Sequence, residues 1–397
     1  MDQSKSRRLV TAPRGAIAAL VGAAALVAAT GPLAGAATPH SSAPTLASLE
    51  KTLTTLETPP TANETIAETG SSLFGPLFQE WQSGYPYKNI SIQPTISSSG
   101  TGVSAAIGGT TDIGASDPYL APSQMVNTIN IPIVVSAQQV NYNIPGLKSG
   151  VHLRLSPAVL NSIYGGQITN WDDPAIAKLN KGVSIPSTPI VTIHRSDSSG
   201  DTNLFTSYLD YGLGGSTVNP TGGTSFVAAL GGPANLITWP SVPNSQAQKG
   251  NSGMLTACAA TVGCIAYIGV SYLNNSLQDH LGYALLENHA KNFVGPVKAN
   301  INAEVASYQH IPTNGAISLI FSNAKSAKFG YPIVNFEYAI VRPAQSDPTK
   351  AAAIKAFLAW GMDPRNGASP TYLPQVQFQP LPTNALQVAI NLLSQIS

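Results

Sequence analysis

The chain has 397 residues, of which 43% are hydrophobic and only 10% are charged, well below the roughly one quarter charged residues usual in a soluble domain. Its 20 basic and 19 acidic side chains leave no concentrated basic face for a nucleic-acid backbone. The apolar groups recur periodically enough to build a sizeable core, which excludes wholesale disorder, so an anionic ligand would have to be small and locally coordinated.

Lys5, Arg7, Arg8 and Arg14 precede an apolar run over residues 16–29 and a small-residue stretch over 34–37. That is the pattern of an export signal, with an uncleaved amino-terminal membrane anchor as the alternative for residues 1–37. Residues 38–62 are rich in Ser, Thr, Ala and Pro and read as a flexible spacer. Within them Leu46, Leu49, Leu53 and Leu56 fall at helical spacing, a short stripe that is weak evidence for a helix.

From residue 65 the pattern alternates short strands with helices. Leu73, Phe74, Leu77, Phe78 and Trp81 recur on one helical face. A strand is predicted over 90–96, a helix from the loop at 97–101 through 107, and a strand at 113–115 ending on Ser116-Asp117-Pro118. Residues 131–144 form an apolar run long enough to cross between two domains. Strands follow at 190–193 and 265–268, with a helix after Gly200. The tail holds a strand over 331–341, a helix over 349–360 and an apolar helix over 386–393 that should pack back onto the first domain. Such strand, loop and helix units favour an open α/β sheet, with ligand sites at the strand carboxyl ends.

Cys258 and Cys264 are the only cysteines. Export would favour a local disulfide between them, two buried thiols being the alternative; no further ligands lie near enough for a metal site.

Three loops are suited to an oxyanion. Ser71-Ser72-Leu73 and Ser97-Ser98-Ser99-Gly100-Thr101 each precede a helix, where hydroxyls and unpaired N–H groups meet the positive end of the dipole; ordinary N-capping is the plain alternative for each. His194-Arg195-Ser196-Asp197-Ser198-Ser199-Gly200-Asp201-Thr202 adds a guanidinium fork, the plain alternative being that Arg195 only pairs with Asp197 or Asp201 and the segment caps the helix. It lacks the Gly-Lys-Ser/Thr ending of a nucleotide P-loop. Asp117 suggests selectivity: beside an anion, a carboxylate is tolerated only if the ligand brings a proton for it to accept. Phosphate does and sulfate does not, and Asp201 could accept a second proton.

Gly70-Ser71-Ser72-Leu73-Phe74-Gly75-Pro76, Ser98-Ser99-Gly100-Thr101-Gly102, Asp112 to Asp117, Ile144-Pro145-Gly146-Leu147, Ile163 to Asp172 and His194 to Thr202 stand in an order and spacing that resemble the exported phosphate-binding component of a phosphate ABC transporter, over about residues 63–397. The resemblance implies a two-lobed periplasmic-binding-protein fold of type II. Each lobe would be a mixed open sheet flanked by helices, with hinge strands joining residues 63–141 plus 316–397 to residues 142–315. It implies phosphate contacts from Ser72, the Leu73 N–H, Ser99, Asp117, Arg195, Ser199, Gly200 and Asp201, with Asp197 orienting Arg195. Ser72 and Asp201 depart from the commoner threonines of that pattern. The implied protein is a monomer outside the cytoplasm that delivers inorganic phosphate to a membrane permease and needs no cofactor. The alternatives are a secreted phosphoester hydrolase using Ser99 or Asp117, and a binding protein or sensor for another tetrahedral oxyanion. The sequence has no Gly-x-Ser-x-Gly nucleophile motif.

Overall fold

The structure, a computed structural model, describes residues 44–397 except 149, 217–224 and 322–327; the leader expected at 1–37 lies outside the described residues. The described residues form twelve strands: β1 (Glu64–Gly70), β2 (Ile90–Ile96), β3 (Ile113–Ser116), β4 (Ile129–Tyr142), β5 (Arg154–Leu155), β6 (Val191–Arg195), β7 (Gln246–Gln248), β8 (Cys264–Gly269), β9 (Gly282–Tyr283), β10 (Leu285–Glu287), β11 (Phe293–Val294) and β12 (Val334–Val341). The helices in the first half of the chain are α1 (Leu46–Leu56), α2 (Gly75–Gly84), α3 (Ser99–Gly108), α4 (Pro157–Tyr164), α5 (Pro174–Leu179) and α6 (Gly200–Gly212). They are followed by α7 (Phe226–Ala229), α8 (Gly250–Ala260), α9 (Leu273–Gln278), α10 (Lys298–Val305), α11 (Pro348–Met362) and α12 (Thr383–Leu393).

The main sheet runs β2-β1-β3-β12-β4-β8-β6-β7, with β9 also on β4. Its two parallel groups, β2-β1-β3 and β8-β6-β7, flank the antiparallel pair β12 and β4. Strand β4 explains the connection. All fourteen of its residues are buried, and it changes partner from β12 at Ala137 to β8 at Gln138. The long apolar run therefore belongs to both halves of the sheet, as a strand covered on both faces requires. The carboxyl ends of β1, β2 and β3 on one side, and of β6 and β8 on the other, carry the polar loops singled out in the sequence.

Each half has an aromatic core. Around β1 and β2, Trp81 is fully buried and meets Phe78, Phe357 and Trp360 at centroid distances of 5.3, 5.9 and 6.2 Å, an edge-to-face set that suits the ring quadrupoles. In the other half, Tyr267 stacks on Phe205 at 4.7 Å and fixes the strand that ends at the site. Cys258 and Cys264 form a disulfide with Cα atoms 5.4 Å apart, joining α8 to the start of β8.

Residues 46–56, expected to lie within a flexible spacer, instead form helix α1. Leu49 and Leu53 are buried, and Thr45 caps the first turn. Arg365 reaches across to donate to the Glu50 carbonyl and Thr54 Oγ1, both at 2.8 Å, while Asn366 donates to Glu57 Oε2 at 2.8 Å. The leucine stripe was the available signal, and docking on the body supplies the stability that an eleven-residue helix lacks alone. Leu53→Ala is expected to lower unfolding free energy by about 2–4 kcal/mol. Limited proteolysis of the folded variant should then cut first near residue 57.

Candidate functional site

Gly70 ends β1 at φ +154°, and a Cβ there would fall 2.2 Å from the Ala115 carbonyl. Only glycine lets β1 and β3 approach this closely, and that approach brings Ser71 to Asp117. Ser71 Oγ accepts the N–H groups of Leu73 and Phe74, each at 3.0 Å, and donates to Asp117 Oδ1. The Leu73 N–H, expected at the ligand, is thus used within its own turn, because Ser71 caps the turn that leads into α2. Ser72 Oγ accepts both the backbone and the side-chain N–H of Asn251, at 3.0 Å each.

Asp117 is 1% exposed, and Ser99 Oγ accepts its backbone N–H at 3.3 Å. Burial, followed by the charge of Asp201, pushes its carboxyl up to about 7, against the Ser71 hydrogen bond and the charge of Arg195. Opposite it stands the start of α6. A Cβ on Gly200 would lie 2.3 Å from Asp117 Oδ2 and 2.5 Å from Ser99 Oγ, so this contact between the halves demands glycine. The Gly100 N–H donates to the Ser198 carbonyl at 2.9 Å, a second bond across the same cleft. Ser199 Oγ is buried with no hydrogen-bond partner, which leaves its hydroxyl free to donate to a ligand.

Arg195 is 2% exposed at the end of β6. Nε donates to Asp197 Oδ1 at 2.7 Å, Nη2 to Asp197 Oδ2 at 2.5 Å and Nη1 to Asp201 Oδ2 at 2.7 Å. Its backbone N–H reaches Tyr267 Oη at 2.9 Å. Burial works against the charge, but the hydrogen bonds that Arg195 donates to Asp197 and the charges of Asp201 and Asp197 outweigh it, and the guanidinium is held more firmly protonated than usual. Asp201 Oδ2 also accepts from Asn251 Nδ2 at 2.8 Å, and Oδ1 accepts from Gln138 Nε2 at 3.1 Å. Burial raises its carboxyl, while Arg195, Gln138 and Asn251 oppose the rise.

The structure therefore brings Ser99, Asp117, Arg195, Ser199, Gly200 and Asp201 together. Asp197 pairs with Arg195 and, with Ser72, Lys249 and Asn251, lines an adjoining cleft of about 440 Å³ whose walls do not include Asp117, Arg195 or Asp201. The arrangement opposes a carboxylate to a guanidinium, with hydroxyl and amide donors between them. That suits an oxyanion which carries both negative charge and a proton. Sequence reasoning missed Ser71 as the partner of Asp117, and it missed Gln138, Asn251 and Tyr267 altogether. Asn251 sits at the first turn of α8 with no motif around it, so only its place across the cleft reveals it. Among the described residues, no three His, Cys, Asp or Glu side chains converge as a metal site. None of the described helices is long and apolar enough to cross a membrane.

The PBP superfamily domain matches residues 55–365. The chain is 31% identical to the phosphate-binding protein PstS of Methanocaldococcus jannaschii, over 83% of this chain and 86% of that one. It is 28% identical to the phosphate-binding protein PstS of Pasteurella multocida, over 82% and 89%. Among solved structures, the periplasmic phosphate-binding protein PfluDING, bound with phosphate, superposes with a TM-score of 0.63 at 23% identity, covering 81% of this chain and 92% of that chain. The expected two-lobed α/β fold is the one seen. With a domain match over most of its length and this identity to its relatives, the chain belongs to the PBP superfamily and, within it, to the family of phosphate-binding proteins.

Proposed function

We propose that the protein binds inorganic phosphate outside the cytoplasm and delivers it to the permease of a phosphate ABC transporter, making and breaking no covalent bond. The observation that carries this is the buried Asp117 facing the Arg195 side of the cleft, with Ser99, Ser199 and the amides at the start of α6 around them. Asp117 accepts a proton that phosphate has and sulfate lacks, while Arg195 and the other donors meet the remaining oxygens. The two halves of the sheet act as lobes, residues 63–141 with 316–397 and residues 142–315. They are held together by the Gly100–Ser198 and Ser72–Asn251 bonds and open about β4 and its neighbours to release ligand. An amino-terminal export segment would place the protein where the permease can receive its cargo, and a monomer suffices for delivery.

A phosphoester hydrolase would need a base beside a nucleophile. Ser99 Oγ instead accepts the Asp117 N–H and, among the described residues, shows no hydrogen bond to a carboxylate or imidazole, and His194 stacks on Trp239 at 4.9 Å with its Nδ1 against the Arg195 carbonyl. Calorimetric titration of residues 38–397 with phosphate, using sulfate as competitor, tests the proposal. Saturable phosphate binding with weak sulfate competition is expected, and properly folded protein that binds no phosphate overturns it. In the same assay Asp201→Asn should change the pH profile more than the peak affinity, since an amide keeps the shape but cannot ionise; curves parallel to wild type would remove Asp201 from the proton chemistry.

A further inference from the structure

Strand β12 carries an acid in the middle of a fully buried run. All eight of its residues are buried, and Glu337 is 0% exposed. Such a carboxyl is expensive unless it is neutral or well partnered. Its Oε1 faces Asn335 Nδ2, which donates at 3.0 Å, and the Ser136 hydroxyl, whose single proton is shared with Asn335 Oδ1 at 2.7 Å. Its Oε2 receives no donor at all.

The strand register shows what faces that oxygen. Strand β12 runs antiparallel to β3, pairing Tyr338 with Ser116 and Ala339 with Ala115. One step further along the same ladder brings Glu337 opposite Asp117, and residues directly opposite on antiparallel strands point to the same side of the sheet. Asn335 ties the two together, donating to the Asp117 carbonyl at 3.1 Å as well as to Glu337. The irregularity in the β12–β4 pairing falls between Glu337 and Tyr338, where it can re-aim a side chain.

Two carboxyls this close in a dry interior cannot both be ionised, so the pair holds a proton. Its location follows from the surroundings. Asp117 has the Ser71 hydroxyl and the charge of Arg195 to stabilise a carboxylate. Glu337 has only the neutral Ser136 and Asn335, both on one oxygen; its other oxygen receives no donor, and the charge acting on the carboxyl is that of Asp117. This is the pattern of a neutral acid whose carbonyl accepts and whose hydroxyl donates. Burial first, and then the charge of Asp117, push the Glu337 carboxyl well above the carboxylate range. The other ionisable groups in reach are Tyr338 beside it and, beyond Asp117, Arg195 on β6 and Asp201 on α6; β4 presents Ser136.

We infer that Glu337 is a specificity-determining residue of this site: a buried neutral acid that donates to Asp117 and keeps it an ionised, acceptor-only group toward the ligand. It touches no ligand and works as a positioning residue. The inference rests on the phosphate reading above and adds to it the reason why Asp117 can remain a selective acceptor where burial favours its protonation. A protonated Asp117 would itself become a donor, and a donor welcomes sulfate as readily as phosphate.

Two substitutions separate this role from simple packing. Glu337→Gln keeps a donor that cannot ionise, and Glu337→Leu removes the donor. Phosphate and sulfate affinities of the purified protein are measured by calorimetry from pH 5 to 9, alongside thermal melting. Glu337→Gln should keep wild-type discrimination between the anions within about threefold and lack the decline in affinity expected of the wild type as Glu337 ionises at alkaline pH. Glu337→Leu should lose discrimination by about tenfold or more at pH 6, chiefly by gaining sulfate affinity, since a rise of one pH unit in the Asp117 titration is a tenfold change in its protonation. Either of two results overturns the inference: both variants retaining the wild-type discrimination and pH curve, or Glu337→Leu losing both anions in parallel with a lower melting temperature. Should Glu337→Leu fail to fold, Glu337→Gln decides alone, and a pH curve identical to wild type counts against the role. A wild type that binds no phosphate overturns the functional reading as well, whereas a wild type that binds selectively with both variants alike overturns only this inference.

Discussion

Arg195→Met is expected to reduce phosphate affinity by at least about 100-fold, the low end of what removing one partner from a buried charged hydrogen-bond network produces. The reason lies in what the guanidinium holds. It is 2% exposed and ties Asp197 and Asp201 together through three hydrogen bonds. Methionine fills much of the volume but leaves these carboxylates without their cation in a site that already contains Asp117. The ligand-free protein should therefore lose about 3–5 kcal/mol as well. That loss should shrink on acidification, as the stranded carboxylates take up protons. Arg195→Lys keeps the charge but not the planar fork that meets both Asp197 oxygens, and its affinity should fall between wild type and Arg195→Met. Calorimetry with phosphate, together with melting curves at pH 5 and 7.5, checks both effects. An Arg195→Met protein with wild-type affinity would remove the guanidinium from the binding site.

Stability should rise, not fall, when the phosphate-free protein is taken from pH 8.5 to pH 5. Several acids are buried where desolvation outweighs whatever cation or donor is near. Burial pushes Glu68 up to about 8, with the Thr95 backbone only partly offsetting it. Burial and then Asp363 push Glu57 up to about 7. Glu337, raised as described above, holds the proton of its pair with Asp117. Each of these keeps its proton in the folded state at a pH where the unfolded chain has lost it. Below the ordinary carboxyl range of about 4 both states are protonated, and such a group costs the fold nothing. As pH rises from there through the raised value, the unfolded chain gains the advantage of ionising and stability falls; above about 8 the full penalty of Glu68 is present.

Asp363 acts in the opposite sense. Burial would raise it, but Arg365 outweighs burial and holds it below the usual value, so its contribution is lost only at about pH 4 and lower. Chemical denaturation across the range should show the highest stability on the acid side, and Glu68→Gln should flatten the slope between pH 5 and 8.5 by up to about 1.4 kcal/mol per pH unit. A slope unchanged by that substitution would mean that Glu68 does not titrate in this window. With only 10% of its residues charged, the chain also builds up little self-repulsion as its surface carboxylates neutralise.

The parts of the site visible in the sequence were those in contiguous segments. The run from His194 to Thr202 carries its own strand end, its cation and its helix start, so local chemistry alone suggests an anion cradle. Asp117 was legible for a related reason, since an acid at a strand end among serine loops calls for a proton-bearing ligand. Ser71 and Ser72 were harder to separate: adjacent in sequence and alike in chemistry, they differ only in that one faces Asp117 and the other faces Asn251. Nothing local distinguishes them. Glu337 left a faint signal, an acid within the otherwise apolar and aromatic run from Val334 to Val341. Its role depends on standing one register step beyond the Tyr338–Ser116 pair.

Sequence by itself determined the α/β class, the order of strands and polar loops, and the presence of a donor-rich segment opposed by a carboxylate. These follow from periodicity and local hydrogen-bonding capacity, which act over a few residues. Tertiary structure alone decided which serine meets Asp117, that Asn251 and Gln138 hold Asp201, that Glu337 shares its proton with Asp117, and that residues 46–56 dock as a helix. Those outcomes depend on groups far apart in the chain being buried against one another, where the loss of water makes an unpaired charge too costly and forces each carboxyl to find a cation, a donor or a proton.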